Sequence, residues 1–279
     1  MAVSAVVVVA AGSLAIVMSS HRSTPTTSTH GGVRETRALA AAWVAQQVSR
    51  TTTVSCDPVT CRALEQRGFD KLLALGPAAH DPLRSELVVA TAAVRNELGG
   101  RLSSLYAPAV LASFGSGSAR IDIRVVAQHG AAAYRSLLRQ DLAQRKAIGG
   151  GLAGTTFSSR IVISSATARN QLATGQVDSR LLYTIENLAG RHPIRILTFG
   201  DSGPGASAGM PLRSAEVIEA RNAASVSSPA SVQALLGFVR AQGHPYIPAY
   251  AQATRLAGQT VLLIEFAAPS PLLLLNPPS

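Results

Sequence analysis

Residues 52–75 read TTVSCDPVTCRALEQRGFDKLLAL, and their reading decides the fold. Thr52 to Ser55 is a short β-branched run. Asp57-Pro58 is a helix start, with aspartate as N-cap and proline at the first helical position. Val59, Ala63 and Leu64 supply apolar positions, and Gly68 supplies the stop. Lys71 to Leu75 (KLLAL) is the second strand. Strand, capped helix and strand predict a β-α-β unit.

Cys56 and Cys61, the only two cysteines, then fall just before the N-cap and at the fourth helical position. Those two positions touch in a hydrophobic staple. Their spacing is C-x-x-x-x-C, not the C-x-x-C of a thiolate activated at a helix N-terminus. A zinc site needs further Cys or His at short spacing, and no second cluster exists. The expectation is a structural disulfide, with two buried thiols as the alternative. A bridge requires an oxidising compartment and would place this part of the chain outside the cytoplasm.

Outward from this unit the pattern stays mixed. Glu35–Ser49 is a predicted helix carrying Leu39, Trp43, Val44 and Val48. SELVVATAAVRNELGGRL (85–102) repeats strand then helix, with Thr91 at the join. AVLASFGSGSARIDIRVVA (109–127) predicts a hairpin turning at Gly115–Ser118, with Ile121, Ile123 and Val125 on one side and Arg120, Asp122 and Arg124 on the other. Ala131–Lys146 is a helix striped by Tyr134, Leu137, Leu138 and Leu142. Ile148–Ser159 (IGGGLAGTTFSS) is the expected boundary between two halves. RIVIS (160–164) opens the second half. Asp178 caps a helix with Leu181, Leu182, Ile185 and Leu188, ended by Gly190 and Pro193. IRILTF is the next strand. Ser228-Pro229 starts a helix with Val232, Leu235, Leu236 and Val239. YAQATRL and TVLLIEFAA form a terminal hairpin. No internal repeat is visible.

The expected class is α/β (mixed α+β), with an N-terminal transmembrane helix and two packed α/β halves. The expected division is 1–18 anchor, 19–33 tether, 34–150 first half, 151–270 second half and 271–279 proline-rich tail. The anchor rests on Ala2–Met18, AVSAVVVVAAGSLAIVM, which is at the lower length limit for a bilayer span. It lacks the basic n-region and small-residue cleavage site of a signal peptide. Arg22, Arg34 and Arg37 follow the run, which by the positive-inside rule alone would leave the body in the cytoplasm. Long domains translocate largely regardless of charge, so the cysteines arbitrate.

The formal charge is +10, while aromatics make up 4% of the chain. Nucleic-acid binding wants clustered charge interleaved with stacking aromatics. The arginines here are scattered, so no nucleic-acid partner is expected. A diffuse positive field suits anionic lipid or acidic wall polymers. Expected partners are the membrane, through the anchor, and envelope polymers or another membrane protein. No cofactor or metal is expected.

RILTFGDSGPG (195–205) resembles the first block of GDSL-type lipases and esterases. That resemblance implies Ser202 as nucleophile and His244, the only later histidine, as base. The family's Asp-x-x-His is missing, since Asp201 is the last aspartate in the chain. The other reading of this stretch is a Gly/Pro turn whose Asp201 and Ser202 bond local backbone, and it is the one preferred. GDSGP and PAAHD (77–81) also resemble blocks of chymotrypsin-like proteases, whose all-β fold the helical stripes exclude. Gly175–Gly203 resembles the helix-then-strand lead-in of zinc D-alanyl-D-alanine peptidases. Their Ser-x-His-x-x-Gly-x-Ala-x-Asp block is absent, and Glu216 is the residue that would stand in for the aspartate. This implies a fold without its metal. Across AAWVAQQVS, VSCDPVTC, LASFGSGSARIDIRVV, GAAAYRSLL, GQVDSRLL and FGDSGPGAS, the chain resembles single-pass membrane-anchored extracytoplasmic proteins of actinobacteria of unassigned function. That resemblance implies a surface location and a non-catalytic binding or accessory role, with a Ser202 hydrolase as the alternative.

Overall fold

The computed structural model describes residues 29–76, 81–154, 160–200, 203–220, 228–256 and 258–275. The apolar run 2–18 lies outside them. Among the described residues no helix is long and apolar enough to cross a membrane.

The chain is mixed α/β with two five-stranded sheets. Helix α1 (Thr29–Gln47) leads into β1 (Val54–Cys56), α2 (Pro58–Glu65) and β2 (Leu72–Ala74). β3 (Leu87–Ala90), α3 (Ala92–Leu98), a π-turn at Leu102–Tyr106, β4 (Ala109–Phe114) and β5 (Ile121–Val125) follow. The first sheet has the order β2-β1-β3-β5-β4. β1 pairs parallel with both β2 and β3, so the β-α-β unit read from residues 52–75 forms. β5 runs antiparallel between β3 and β4.

α4 (Ala131–Ala153) then leads to β6 (Ile161–Ile163), α5 (Ala166–Ala173), α6 (Ser179–Arg191), β7 (Ile194–Gly200), β8 (Ser214–Glu219), α7 (Pro229–Arg240), β9 (Tyr250–Leu256) and β10 (Gln259–Glu265). The second sheet has the order β6-β7-β8-β10-β9. Only β6 and β7 pair parallel; β7-β8, β8-β10 and β10-β9 are antiparallel.

The last three strands of each sheet share one arrangement. A strand (β3 or β8) crosses through helix to a hairpin, and the hairpin's second strand inserts antiparallel beside the starting strand. This is a split β-α-β. Pairing order repeats where residue identities do not, which is why the sequence shows no repeat.

Burial follows the strand pattern. β3 is covered on both faces: Leu87 and Val89 join the core under α1 and α2, while Val88 and Ala90 join Val94, Leu98 and Tyr106. Such a strand reads as a continuous apolar run. In α6 the predicted stripe of Leu181, Leu182, Ile185 and Leu188 is fully buried against Ile194, Ile196, Val217 and Ile264.

Several sequence expectations need correction. α1 begins at Thr29, inside the segment read as tether. β8 and α5 were not anticipated. Val59 is exposed, so α2 buries Thr60, Cys61 and Leu64 instead. Asp122 is buried between Arg120 (2.7 Å) and Arg124 (3.3 Å), not on an open face. α4 runs straight through Gly149-Gly150-Gly151 to Ala153. Its buried residues are Ala131, Asp141, Arg145, Gly149 and Leu152, while the anticipated leucines are half-buried. Gly149 explains the continuation: a Cβ there would sit 2.3 Å from the Leu172 carbonyl oxygen, so glycine lets α4 and α5 meet backbone to backbone. Arg145 Nε donates to Asp141 Oδ2 at 2.7 Å and its guanidinium also donates to the Gly175 carbonyl. Ser179 Oγ and the Leu273 N–H donate to Asp141 Oδ1 at 3.2 and 3.1 Å. The buried charge is thereby paired and hydrogen-bonded, as a buried ion pair must be to persist.

The two sheets are joined through the end of α1. The Ala268 N–H donates to the Gln47 carbonyl at 2.6 Å. Arg213, among the largest fully buried side chains, donates to the Phe266 carbonyl at 2.7 Å and to Gln47 Oε1 at 2.9 Å.

Candidate functional site

The segment after β7 contains the GDSG motif. Asp201 and Ser202 lie outside the described residues, as does His80. The chain from Gly203 to Ser207 docks on the edge of the other sheet. The Gly205 carbonyl accepts from Ser113 N–H at 2.9 Å, and Ser207 N–H donates to the Leu111 carbonyl at 2.9 Å. Ala206 bridges antiparallel to Ala112. Gly205 has φ +86° and an added Cβ would meet the Phe114 ring at 2.6 Å and the Ser113 carbonyl at 2.9 Å. The glycine at 205 therefore serves a crossing onto the edge of β4.

His244 lies past α7, exposed, on the lip of a cleft of ≈ 720 Å³. Its lining includes Val48, Ser49, Thr51 and Glu86 from the first half and His244, Ile247, Pro248 and Pro269 from the second. The peptide bonds preceding Pro245 and Pro269 are cis. Among the described residues the only histidine–carboxylate pair is His192 with Glu219, at 4.0 Å. His244 thus has no described carboxylate to orient it, as a general base activating a serine requires.

The cleft's polar groups are largely committed to structure. Arg180 ion-pairs with Asp178 at 2.8 Å, donates to the Ala267 carbonyl at 2.8 Å, and lies 5.0 Å from the centre of the Phe266 ring. Burial works to raise the Asp178 carboxyl, but Arg180 and the Ser270 hydroxyl outweigh it and hold it below the ordinary value. Arg50 donates to the Ala45 carbonyl at 3.2 Å and covers Phe69, 4.6 Å above the ring. Glu86 Oε1 accepts from Thr53 N–H at 3.2 Å. Tyr246 stacks on Tyr183 at 3.9 Å between ring centres, fastening the 243–249 segment to α6. Sequence reading singled out His244 as a site candidate and Asp178 only as a helix cap. The cleft joins five parts of the chain, around residues 46–52, 86, 180, 244–249 and 267–271, and its one local signal is the prolines at 245, 248, 269 and 271.

The cysteine site matches its expectation closely. Cys56 and Cys61 lie at disulfide distance, with Cα–Cα 5.4 Å, inside the separation that bridged cysteines occupy. Asp57 caps α2: Oδ1 accepts from the Val59 and Thr60 N–H groups at 3.0 and 3.1 Å. Its Oδ2 accepts from the Thr60 hydroxyl at 2.8 Å. Burial works to raise the Asp57 carboxyl. The neighbouring Thr91 hydroxyl, the Thr60 hydrogen bonds and the Arg37 charge prevail and lower it.

Among the described residues no three His, Cys, Asp or Glu side chains are grouped to hold a metal ion. Glu216, the stand-in for a peptidase ligand, lies in the middle of β8 opposite Leu263. The chain matches no family model, no curated protein and no solved structure at a significant level.

Proposed function

We propose that this chain is a non-catalytic binding protein of the cell envelope, held at the membrane by Ala2–Met18 with its two-sheet body outside. The observation that carries the binding role is the cleft between the two sheets. It is broad, lined from both halves, and its charged side chains are held by structural partners. Its lining mixes the Ser49, Thr51 and Thr52 hydroxyls and the Gln46 amide with Pro245, Ile247, Pro248, Pro269 and Pro271. Such a surface suits a segment of an envelope polymer or of another membrane protein. The cysteine pair at disulfide distance supports the outside location, because bridges persist in oxidising compartments.

Site-specific photo-crosslinking in intact cells tests the reading. A benzophenone side chain replacing Ile247, 56% exposed beside the cleft, should yield a discrete adduct. The same group replacing Leu105, 46% exposed and away from the cleft, should not. Equal adducts at both positions, or none at 247, would refute the cleft as the binding surface. Stoichiometric fluorophosphonate labelling of Ser202 would replace the binding role with hydrolysis.

A further inference from the structure

The parallel part of the first sheet carries a second concavity, independent of the inter-sheet cleft. β1, β2 and β3 run in one direction, so their carboxyl ends meet at one edge. From β1 the chain crosses through α2 to β2 on one side, while β3 lies on the other. Strand order therefore reverses at β1. In open α/β sheets, the crevice outside the carboxyl ends at such a reversal is where ligands bind. Here it is occupied by a cavity of ≈ 230 Å³, lined by Asp57 and Pro58 after β1, Leu75 and Gly76 after β2, and one face of α3. That face presents Ala93, Val94, Glu97 and Leu98.

We infer that this cavity binds a short aliphatic chain ending in a primary ammonium group. The size is the first argument. The volume falls below the roughly 300–1,000 Å³ of sites for drug-sized ligands, so the occupant is small. The walls are the second: Leu75, Val94 and Leu98 are buried apolar side chains that match methylene groups. The sign of charge is the third. In a chain of formal charge +10, the described lining holds two carboxylates, Asp57 and Glu97, and no cation.

Asp57 also excludes the usual alternative. Doubly wound folds place a ligand phosphate on the helix N-terminus at this edge. At α2 that position is already filled by the Asp57 carboxylate, which takes the Val59 and Thr60 N–H groups. An anionic ligand would meet a fixed negative charge where it needs donors. Oδ2 accepts one bond, from the Thr60 hydroxyl, and a carboxylate oxygen can accept another. Beside it lies the Thr91 hydroxyl at the end of β3, 3% exposed, which helps to keep Asp57 ionised. Arg37 approaches Asp57 from α1, through the Thr60 hydroxyl at 3.2 Å, and is not part of the lining. Glu97 is exposed at the mouth, where it would draw the cation in. Cys56 and Cys61 bracket the Asp57 turn, so their bridge fixes the carboxylate before a ligand arrives.

The test uses the full chain in detergent with methyl-labelled leucine and valine. n-Pentylamine, 1-pentanol and pentanoate are titrated separately at pH 7. The amine is expected to shift the Leu75, Val94 and Leu98 methyl signals, and to bind at least tenfold tighter than either partner of equal length. Asp57→Asn keeps a good N-cap and removes the charge; it should weaken the amine at least tenfold. Glu97→Gln, at an exposed position, should weaken it severalfold. Nα-acetyl-lysine methylamide separates the two sources of such a group. Binding as tight as pentylamine assigns the pocket to a lysine side chain of a peptide, and weaker binding assigns it to a free amine. Equal binding of pentanol or pentanoate, or undiminished amine binding in both carboxylate variants, would overturn the inference. So would shifts confined to other methyl groups.

Discussion

Gly205→Ala is the substitution that probes most directly how the two sheets are held together. Gly205 has φ +86°, a region that costs an L-residue about 1–2 kcal/mol. Its new Cβ would stand 2.6 Å from Phe114 Cε1 and 2.9 Å from the Ser113 carbonyl oxygen. The Phe114 ring belongs to the core under α1, so it cannot swing away freely. Overpacking of this kind costs about 1–3 kcal/mol. The alternative is for the segment to lift from β4 and lose the Ser113–Gly205 and Ser207–Leu111 hydrogen bonds. At about 0.5–1.5 kcal/mol each, that route costs about 1–3 kcal/mol. Staying in place costs strain plus overpacking, about 2–5 kcal/mol; lifting releases both, so the cheaper route sets the expected loss at about 1–3 kcal/mol. Urea unfolding followed by Trp43, the only tryptophan and part of the same core, measures it. Gly209→Ala is the control, because no atom lies within 4 Å of its added Cβ; it should change stability by less than about 0.5 kcal/mol. Amide exchange at Ser113 and Ser207 should quicken in the Gly205 variant alone. A loss under about 1 kcal/mol, or an equal loss at Gly209, would refute the view of residues 203–207 as an inter-sheet clasp.

Tyr134, its hydroxyl pushed up to about 12 by burial and then by the Asp141 charge, should make stability fall as pH rises. Between about pH 10, where an unfolded tyrosine ionises, and about 12, the folded chain holds a proton the unfolded chain has lost. The slope is about 1.4 kcal/mol per pH unit, and Tyr134→Phe should flatten it; unchanged alkaline unfolding in that variant would refute the assignment. Arg213→Met should cost about 2–4 kcal/mol, because it strands the Phe266 carbonyl and Gln47 Oε1 without their buried donor. A urea midpoint shift worth less than about 1 kcal/mol would show that the guanidinium does not join the sheets.

Local chemistry determined a good part of this molecule. Asp57-Pro58 could be read as a helix start because an N-cap carboxylate and an N1 proline act within one turn, and the structure shows that cap. The stripe of α6 and the two hairpins were legible because a period of 3.6 or 2 reports a buried face directly. The nearness of Cys56 and Cys61 was legible for a similar reason, since the end of β1 and the fourth position of α2 flank a single capped turn. Tertiary structure alone decided the rest. Gly149-Gly150-Gly151 carries every local mark of a break, yet stays helical because α5 packs against Gly149. Asp141 and Arg145 carry no local mark of burial; Ser179 of α6 and the backbone at Leu273 enclose the pair. Within the GDSGPG stretch, the glycine at 205 answers to Phe114, about 90 residues upstream, which the stretch itself does not reveal. The inter-sheet cleft and the acidic pocket at the β1 edge are likewise contacts between distant segments. Periodicity and capping act over one turn or one strand; a cavity is set by which elements the core brings together, and no single stretch of chain encodes that.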